Sequence, residues 1–328
     1  MRGIELTPDA PVARIADRAV LAEDAAFDTT FVSCHHFNRD PFVALDRIAR
    51  RTSEMRLGPG TANPLETHPV TLASRVGSLQ ETSDGRAVFG IGPGDPSALG
   101  SLGLAEGRGL RAVLEAFKAA QQLWAGESLS QEGTFDADRA ELKFDVPSPE
   151  DIEVHIGGEG PHMCRMSGKH ADGLLFNGSH PDDLAWARDR VEEGIADRPT
   201  TRGPFTLSAY ASVSVAEDAE RARDAARGPV AFIANSAAPP VLERHEIDAA
   251  AVSRVEAALA DSRFGDAYAA VTPAMIEAFS IAGTPETVAD QMAAVGEYAD
   301  GIVVGSPIGP SKQEAIALAG EAAVAAGF

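Results

Sequence analysis

Short β-type runs alternate along this chain with longer stretches of helical period, and this alternation constrains the fold more than any other feature of the sequence. The pattern is typical of parallel strands joined by crossover helices. Eight strands are predicted, which is the number found in a closed (β/α)8 barrel. Their expected bounds are 3–6, 29–33, 56–58, 87–91, 153–156, 173–176, 206–212 and 301–304.

Helices are predicted in the intervals between these strands. Ser214 with Glu217 three residues later forms a capping box, and Thr284 is followed by a proline and an acid. These signals predict helix starts near residues 214 and 284. The expected helix bounds are 11–26, 41–52, 70–82, 110–125, 161–170, 182–195, 284–298 and 312–326.

Two stretches exceed the plain strand–helix repeat. Residues 126–150 contain two short β-type runs, at 133–135 and 142–144, and predict a hairpin insertion. Residues 216–282 are helical and alanine-rich, too long for one connecting loop, and predict a helical insertion before the last strand. Since no linker or low-complexity segment divides the chain, we expect one α/β barrel domain over residues 1–328.

The charge balance excludes one large class of partners. The 328 residues include 49 Asp and Glu but only 28 Lys and Arg, which gives a formal net charge of −21. A protein that binds nucleic acid needs a basic surface to displace counterions from phosphate, so nucleic-acid binding is not expected. Such acidity also suggests adaptation to a salty (halophilic) cytoplasm, where screening weakens the repulsion between carboxylates.

Cysteine content and hydropathy bear on metal binding and location. Cys34 and Cys164 lie in unrelated contexts, so neither a disulfide framework nor a cysteine-rich zinc site is expected. No apolar run approaches the roughly 18 residues of a membrane span. We therefore expect a cytoplasmic protein with no bound metal and no membrane contact.

Function in an α/β barrel gathers where the strands end, so the residues there are the first candidates for chemistry. Glu5 lies inside the first predicted strand, where a carboxylate is costly to bury unless it is paired or takes part in a reaction. A salt bridge to an arginine is the alternative. His35 follows the second strand, and a histidine in this position can be structural or catalytic.

Three loops that follow predicted strands are rich in glycine. Residues 58–64 and 90–95 follow the third and fourth strands, and residues 156–161 lead from the fifth strand into a helix. Glycines let a flat ligand approach the backbone closely, and free N–H groups at a helix start suit a phosphate. Ordinary tight turns are the alternative, because the first two loops match neither a dinucleotide nor a P-loop fingerprint.

Taken together, these segments resemble the bacterial-luciferase-like superfamily, and within it the coenzyme F420-dependent 5,10-methylenetetrahydromethanopterin reductases. The resemblance covers nearly the whole chain. It implies a (β/α)8 TIM barrel that transfers a hydride between the reduced deazaflavin and a 5,10-methylene-tetrahydropterin, giving the 5-methyl form. The matching segments are 83–86, 90–95, 156–161 and 282–286 for the superfamily, and 57–64, 90–95, 239–245 and 305–310 for the reductases.

The resemblance also implies roles for particular residues. Glu5 would protonate the leaving nitrogen of the pterin, and Asp95 would orient the pterin or stabilise its cation. The Gly60–Thr61 bond corresponds to a non-prolyl cis peptide bond that lies against the deazaflavin ring. Coenzyme F420 would be a dissociable co-substrate, held by His35, Gly60, Thr61, Asn63, Gly92, Gly94, Gly157, Gly158, Gly160, Asn177 and Gly178.

Two residues depart from the family pattern. Cys34 stands where the family has an aspartate, and Glu159 stands where it has a glutamine in the phosphate loop. An extra acid beside a phosphate is unfavourable unless it points away or is screened by salt.

The family implies a homodimer or homotetramer, and either tetrahydromethanopterin or tetrahydrofolate as the carrier. An FMN-dependent monooxygenase of the same superfamily and a non-catalytic ligand-binding barrel remain open as alternatives.

Overall fold

The predicted alternation of strands and helices is present in the folded chain. The computed structural model describes residues 1–35, 37–104 and 109–328. Each of the eight predicted strands is confirmed, and the strands of the hairpin and one further short strand are added. The strands are β1 (Arg2–Leu6), β2 (Thr29–Val32), β3 (Arg56–Pro59), β4 (Val88–Ile91), β5 (Leu129–Gln131), β6 (Ala137–Ala140), β7 (Glu153–Gly157), β8 (Gly173–Phe176), β9 (Thr206–Val215), β10 (Ile281–Gly283) and β11 (Gly301–Ile308).

The predicted helices are also confirmed, with bounds that shift by up to three residues. One short helix, α4, was not predicted, because its six residues are too few to establish a period. The helices are α1 (Val12–Asp24), α2 (Pro41–Ala49), α3 (Pro69–Thr82), α4 (Pro96–Ser101), α5 (Gly109–Trp124), α6 (Pro161–His170), α7 (Pro181–Ile195), α8 (Ala219–Ser236), α9 (Pro239–Arg244), α10 (Ala249–Ala260), α11 (Phe264–Ala270), α12 (Pro273–Phe279), α13 (Pro285–Gly296) and α14 (Lys312–Ala325).

The chain divides into two compact units, and the larger one comprises residues 3–176 and 189–208. In this unit β1, β2 and β3 pair in parallel, as do β4, β7 and β8. Parallel bridges from Leu57 to Ala87 and from Ala62 to Ile91 join β3 to β4. Apart from the β5–β6 hairpin, these strands therefore follow one another in chain order, as in a (β/α)8 barrel.

The other unit comprises residues 1–2, 177–188 and 209–328. Here β9 pairs in parallel with β10 and is also hydrogen-bonded to β11. Helices α8 to α12 occupy the predicted insertion and have a hydrophobic core of their own, in which Val230, Val255 and Met275 are fully buried. The short strand β10 ends this insertion, and its three residues carry too little pattern to be predicted.

Two local predictions in the insertions need correction. Ser214 lies in β9, where its hydroxyl donates to the carbonyl oxygen of Ala222 at 2.6 Å, so the predicted capping box is wrong. Helix α8 is capped by Asp218, whose carboxylate accepts two backbone N–H groups of the first turn. The hairpin is present, but its antiparallel strands are β5 and β6, so the β-type run at 142–144 lies beyond it.

The superfamily segment at 83–86 has a structural role. The Arg86 guanidinium donates to the carbonyl oxygens of Ser83, Met55 and Ala49 at 2.7–2.8 Å, and to Thr52 at 3.1–3.2 Å. It therefore satisfies carbonyl groups at the end of α2 and fixes the amino end of β4. Burial lowers the pKa of this guanidinium, and the nearby acids Glu23, Asp84 and Glu54 oppose that shift.

We expect Arg86→Lys to lower the free energy of unfolding by about 2–3 kcal/mol, because an ammonium group cannot reach acceptors spread around a planar guanidinium. Thermal or urea unfolding measures the effect. Arg47→Lys on α2 is the matched control, since Arg47 is exposed and its replacement should change stability by less than about 0.5 kcal/mol. Equal stability of the two variants would contradict the assignment.

Candidate active site

Strand register brings Glu5 to the same end of the sheet as the glycine loops. Glu5 pairs with Phe31, which in turn pairs with Gly58, two residues before Gly60. The Glu5 side chain is 5% exposed, and its Oε1 accepts a hydrogen bond from the Thr7 hydroxyl at 3.0 Å. Because Thr7 lies beyond the carboxyl end of β1, this bond holds the carboxyl group at the end where the loops begin.

The loop after β3 is built around the Gly60–Thr61 peptide bond. This bond is cis, in agreement with what the resemblance implied. The Thr61 side chain fills the space that two glycines leave open: a Cβ on Gly92 would lie 2.6 Å from Thr61 Oγ1, and one on Gly157 would lie 2.8 Å from Thr61 Cγ2. Both glycines are therefore required by Thr61, whether or not a ligand is bound.

The loop after β4 is fitted to Asn63 in a similar way. Gly94 has a φ of +82°, and a Cβ there would lie 2.0 Å from Asn63 Nδ2. Asn63 Oδ1 accepts the backbone N–H of Leu65 at 2.9 Å, which fixes the amide. Asp95 is exposed at the start of α4, where its carboxylate accepts the N–H of Ala98 at 3.2 Å. The loops after β3, β4 and β7 are thus packed against one another.

The turn from β7 into α6 suits a phosphate group. Gly160 is the N-cap of α6, no side chain caps this helix, and Pro161 is its first residue. A Cβ on Gly158 would lie 2.4 Å from Met163, whereas the space around Gly160 is open to 4 Å. Unbonded N–H groups at a helix start attract anions. Glu159 is exposed, so its carboxylate can remain in solvent.

The loop after β8 belongs to the other unit and has a rigid base. Asn177 is exposed and Gly178 is half-buried, while the next residue, Ser179, is buried. The Ser179 hydroxyl donates to the carbonyl oxygen of Phe279 at 3.2 Å and accepts the N–H of Ser212 at 3.1 Å. These bonds fix the loop that carries the two predicted phosphate ligands.

The segment at 239–245, which is part of the resemblance to the reductases, has a structural role. Arg244 and His245 both bind the Asp183 carboxylate near the start of α7, with His245 Nε2 2.9 Å from Oδ2. Burial alone would raise the pKa of Asp183, but the hydrogen bonds from His245 and Arg244 outweigh it and hold this pKa below its usual value. The cluster ties α9 of the insertion to α7.

His35 lies beside a cleft that the sequence did not predict. The imidazole is exposed and its centroid lies 4.9 Å from that of the Phe37 ring, while the adjacent His36 lies outside the described residues. Burial raises the pKa of the neighbouring Cys34 thiol, which therefore stays protonated. The cleft has a volume of about 260 Å³ and is lined by Cys34, His35, Asn38, Arg39, Asp40, Pro41, Phe42, Ala62, Asn63, Glu66, Thr67, Leu72 and Arg75.

The described residues contain neither a candidate metal centre nor a candidate membrane-spanning helix. In residues 1–35, 37–104 and 109–328, no group of three or more His, Cys, Asp or Glu side chains is arranged to hold a metal ion. Within the same ranges, none of the helices combines the length and the hydropathy needed to cross a bilayer.

Comparison with known proteins assigns the fold and the family. The luciferase-like monooxygenase family matches residues 2–305, and the chain belongs to this family. A structure of the coenzyme F420-dependent tetrahydromethanopterin reductase from Methanopyrus kandleri is similar, with a TM-score of 0.93, 34% identity and 98% of each chain covered. This similarity confirms the predicted fold class, a luciferase-like (β/α)8 barrel. An F420-dependent secondary alcohol dehydrogenase, 17% identical with a TM-score of 0.80, shares the fold.

Two relatives show which enzymes within this family the chain resembles along its length. The 5,10-methylenetetrahydromethanopterin reductase of Archaeoglobus fulgidus is 37% identical over 325 residues, which are 97% of this chain and 97% of that protein. The enzyme of the same name from Methanolobus tindarius is also 37% identical over 325 residues, covering 97% of this chain and 98% of that one. The chain is therefore similar to these reductases along almost its whole length.

We expect Gly157→Ala to destabilise the fold by about 1–3 kcal/mol, because the new methyl group overlaps Thr61 Cγ2. Thr61→Ser removes that carbon, so the double variant should recover most of the loss. Thermal unfolding of the single and double variants measures both effects. Gly265→Ala on α11 is the control, since its Cβ meets nothing within 4 Å. If Thr61→Ser gives no recovery, the packing argument is wrong.

Proposed function

We propose that the chain is a coenzyme F420-dependent 5,10-methylenetetrahydromethanopterin reductase that reduces the methylene group of its carrier to a methyl group. The full-length similarity to reductases of this name, at 34–37% identity, carries the proposal. The buried Glu5 carboxyl group beside the glycine loops supports it, because the reaction needs an acid at this place.

The chemistry requires one proton and one hydride. The methylene carbon bridges two pterin nitrogens, and one C–N bond must break before the carbon can accept a hydride. We assign to Glu5 the protonation of the leaving nitrogen, which turns the bridge into an iminium cation. The reduced deazaflavin supplies the hydride to the iminium carbon when it is bound. The Thr7 hydroxyl, 3.0 Å from Glu5 Oε1, orients the acid.

Several features support binding of coenzyme F420 at the loops. The uncapped start of α6 and the open space at Gly160 fit its phosphate, with Gly157 and Gly158 beside it. The loop at Gly60 and Thr61 would form the floor below the ring. Asp95 is exposed near this floor, where its carboxylate can stabilise the iminium cation or orient the pterin.

The other predicted coenzyme ligands complete this proposal. His35 is exposed after β2. Asn63 and Gly94 pack against each other in the loops after β3 and β4, and the lack of a side chain at Gly92 leaves room for the Thr61 side chain. Asn177 and Gly178 are proposed as further ligands of the phosphate from the loop after β8.

We expect Glu5→Gln to lower kcat by about a hundred- to ten-thousandfold, because the amide keeps the shape of the side chain but cannot donate the proton. Turnover of reduced F420 with methylene-tetrahydromethanopterin, followed by deazaflavin absorbance, measures the loss. Exposed Glu256→Gln on α10 is the control for the lost charge and should retain full activity.

An unchanged rate in Glu5→Gln would show that Glu5 is not the catalytic acid, but it would not contradict the proposed reductase activity. Absence of turnover in the wild type, together with tightly bound FMN in the purified protein, would instead favour the monooxygenase alternative. The same assay with methylene-tetrahydrofolate decides which carrier the enzyme uses, since both carriers present the same bridged methylene carbon.

We further propose that the enzyme is adapted to high salt. The supporting observation is its net charge of −21, with only 28 Lys and Arg residues to offset 49 Asp and Glu residues. Repulsion among these carboxylates is screened over about 3 Å in 1 M salt but over about 30 Å at 0.01 M. We expect the unfolding temperature to rise with KCl concentration between these limits. Undiminished stability in dilute buffer would contradict this proposal.

The helical insertion is a candidate contact between copies of the chain in a homo-oligomer. The rings of Phe232 on α8 and Phe264 on α11 are 50% and 47% exposed, and their centroids are 6.3 Å apart. Exposed aromatic side chains that lie together favour protein contacts. A homodimer or homotetramer that covers these rings is therefore proposed.

A further inference from the structure

The cleft beside His35 lies between two loops of the larger unit. Its lining comes from the segment after β2, the segment after β3 and the first two turns of α3. Because His35 and Asn63 belong both to this lining and to the proposed coenzyme site, the cleft adjoins that site. Its volume of about 260 Å³ is just below the roughly 300–1,000 Å³ of pockets that hold a whole small ligand. It is therefore suited to one part of a larger ligand.

Two arginines line this cleft without carboxylate partners. Arg39 Nη1 lies 3.5 Å from the carbonyl oxygen of Pro8, and the Arg75 guanidinium lies 5.4 Å from the centre of the Phe42 ring. Across the described ranges, no salt bridge involves either of them. In a chain with a net charge of −21, where acids outnumber bases, two such arginines in one cleft point to an anionic ligand.

The two carboxylates that line the cleft differ in their surroundings. The Asp40 carboxylate accepts the N–H groups of Phe42 and Val43 at 2.8 and 3.2 Å and so caps α2. Glu66 is exposed on the rim, and its charge opposes that of the arginines. An anion in the cleft would therefore be attracted by Arg39 and Arg75 and repelled by Glu66 and, to a smaller extent, by Asp40, whose charge the two N–H groups partly offset. Removal of an arginine charge should therefore weaken the binding of an anion, and removal of the Glu66 charge should strengthen it.

We propose that the cleft binds the anionic tail, a carboxylate or phosphate group, of one of the two substrates. This inference rests on the proposed reductase function for the identity of the substrates, but the anion site itself does not depend on it. Arg39 and Arg75 would bind the tail, and the polar side chains of Asn38 and Thr67 would donate to it. The site would contribute to KM because the tail does not react.

Direct binding tests the site without turnover. The probe is γ-linked triglutamate, titrated calorimetrically into the wild type and into variants in one buffer. We expect Arg75→Gln to weaken binding about three- to tenfold and Glu66→Gln to strengthen it about two- to fivefold. Arg47→Gln, which removes the same charge from an exposed position of α2 outside the cleft, should leave the affinity unchanged.

Kinetics then identify which substrate supplies the tail. If Arg75→Gln raises the KM for the methylene carrier and leaves that for F420, the tail belongs to the carrier; the reverse result assigns it to the coenzyme. Either KM should fall in Glu66→Gln. The substrate identified in this way should lose its sensitivity to both variants when its tail is shortened, which a merely structural role of Arg75 would not produce.

The proposal is overturned if triglutamate does not bind and neither KM changes in the two variants. It is also overturned if Arg75→Gln and Arg47→Gln have equal effects, since general charge would then explain them. A wild type that binds triglutamate but does not turn over F420 would contradict the reductase function and leave the anion site standing.

Discussion

The packing of Thr61 against Gly92 and Gly157 is the contact on which the candidate site depends. It joins the loop after β3 to the ends of β4 and β7, at distances that admit no added carbon atom on either glycine. Since the loop that carries Asn63 is in turn fitted to Gly94, contacts within the protein itself hold the floor of the site. A ligand that binds to a floor held in this way loses less free energy to the ordering of loops.

Stability and chemistry are assigned to opposite ends of the strands. Arg86, before β4, binds carbonyl groups at the end of α2, whereas Glu5 lies near the carboxyl end of β1 beside the glycine loops. This separation is general in α/β barrels and explains why the match to the family includes residues at both ends. The Asp183 cluster is structural as well, because the buried Asp183 carboxylate is paired with Arg244 and hydrogen-bonded to His245 at the base of the insertion.

Local charge outweighs net charge in deciding what the cleft can bind. A chain with a net charge of −21 repels polyanions at long range, but in physiological salt this repulsion is screened within about 8 Å. At shorter range the relevant fact is which charges are already paired. Arg244 is paired with a buried acid, whereas Arg39 and Arg75 face a cleft where their charge remains available for a small anion.

The sequence by itself determined the eight barrel strands and most of the helices, because these depend on periods of 2 and 3.6 residues along one segment. It also placed Glu5 in the first of these strands and the glycines at strand ends. Side chains that meet across segments were decided only by the tertiary structure. Nothing near Gly157 in the sequence indicates that Thr61 excludes a side chain there, and nothing near Arg39 indicates that Arg75 lines the same cleft. The Ser214 signal failed for the same reason: pairing with β10 extended β9 through it and left Asp218 to cap the helix. Contacts of this kind depend on strand register and loop path, which local sequence does not encode.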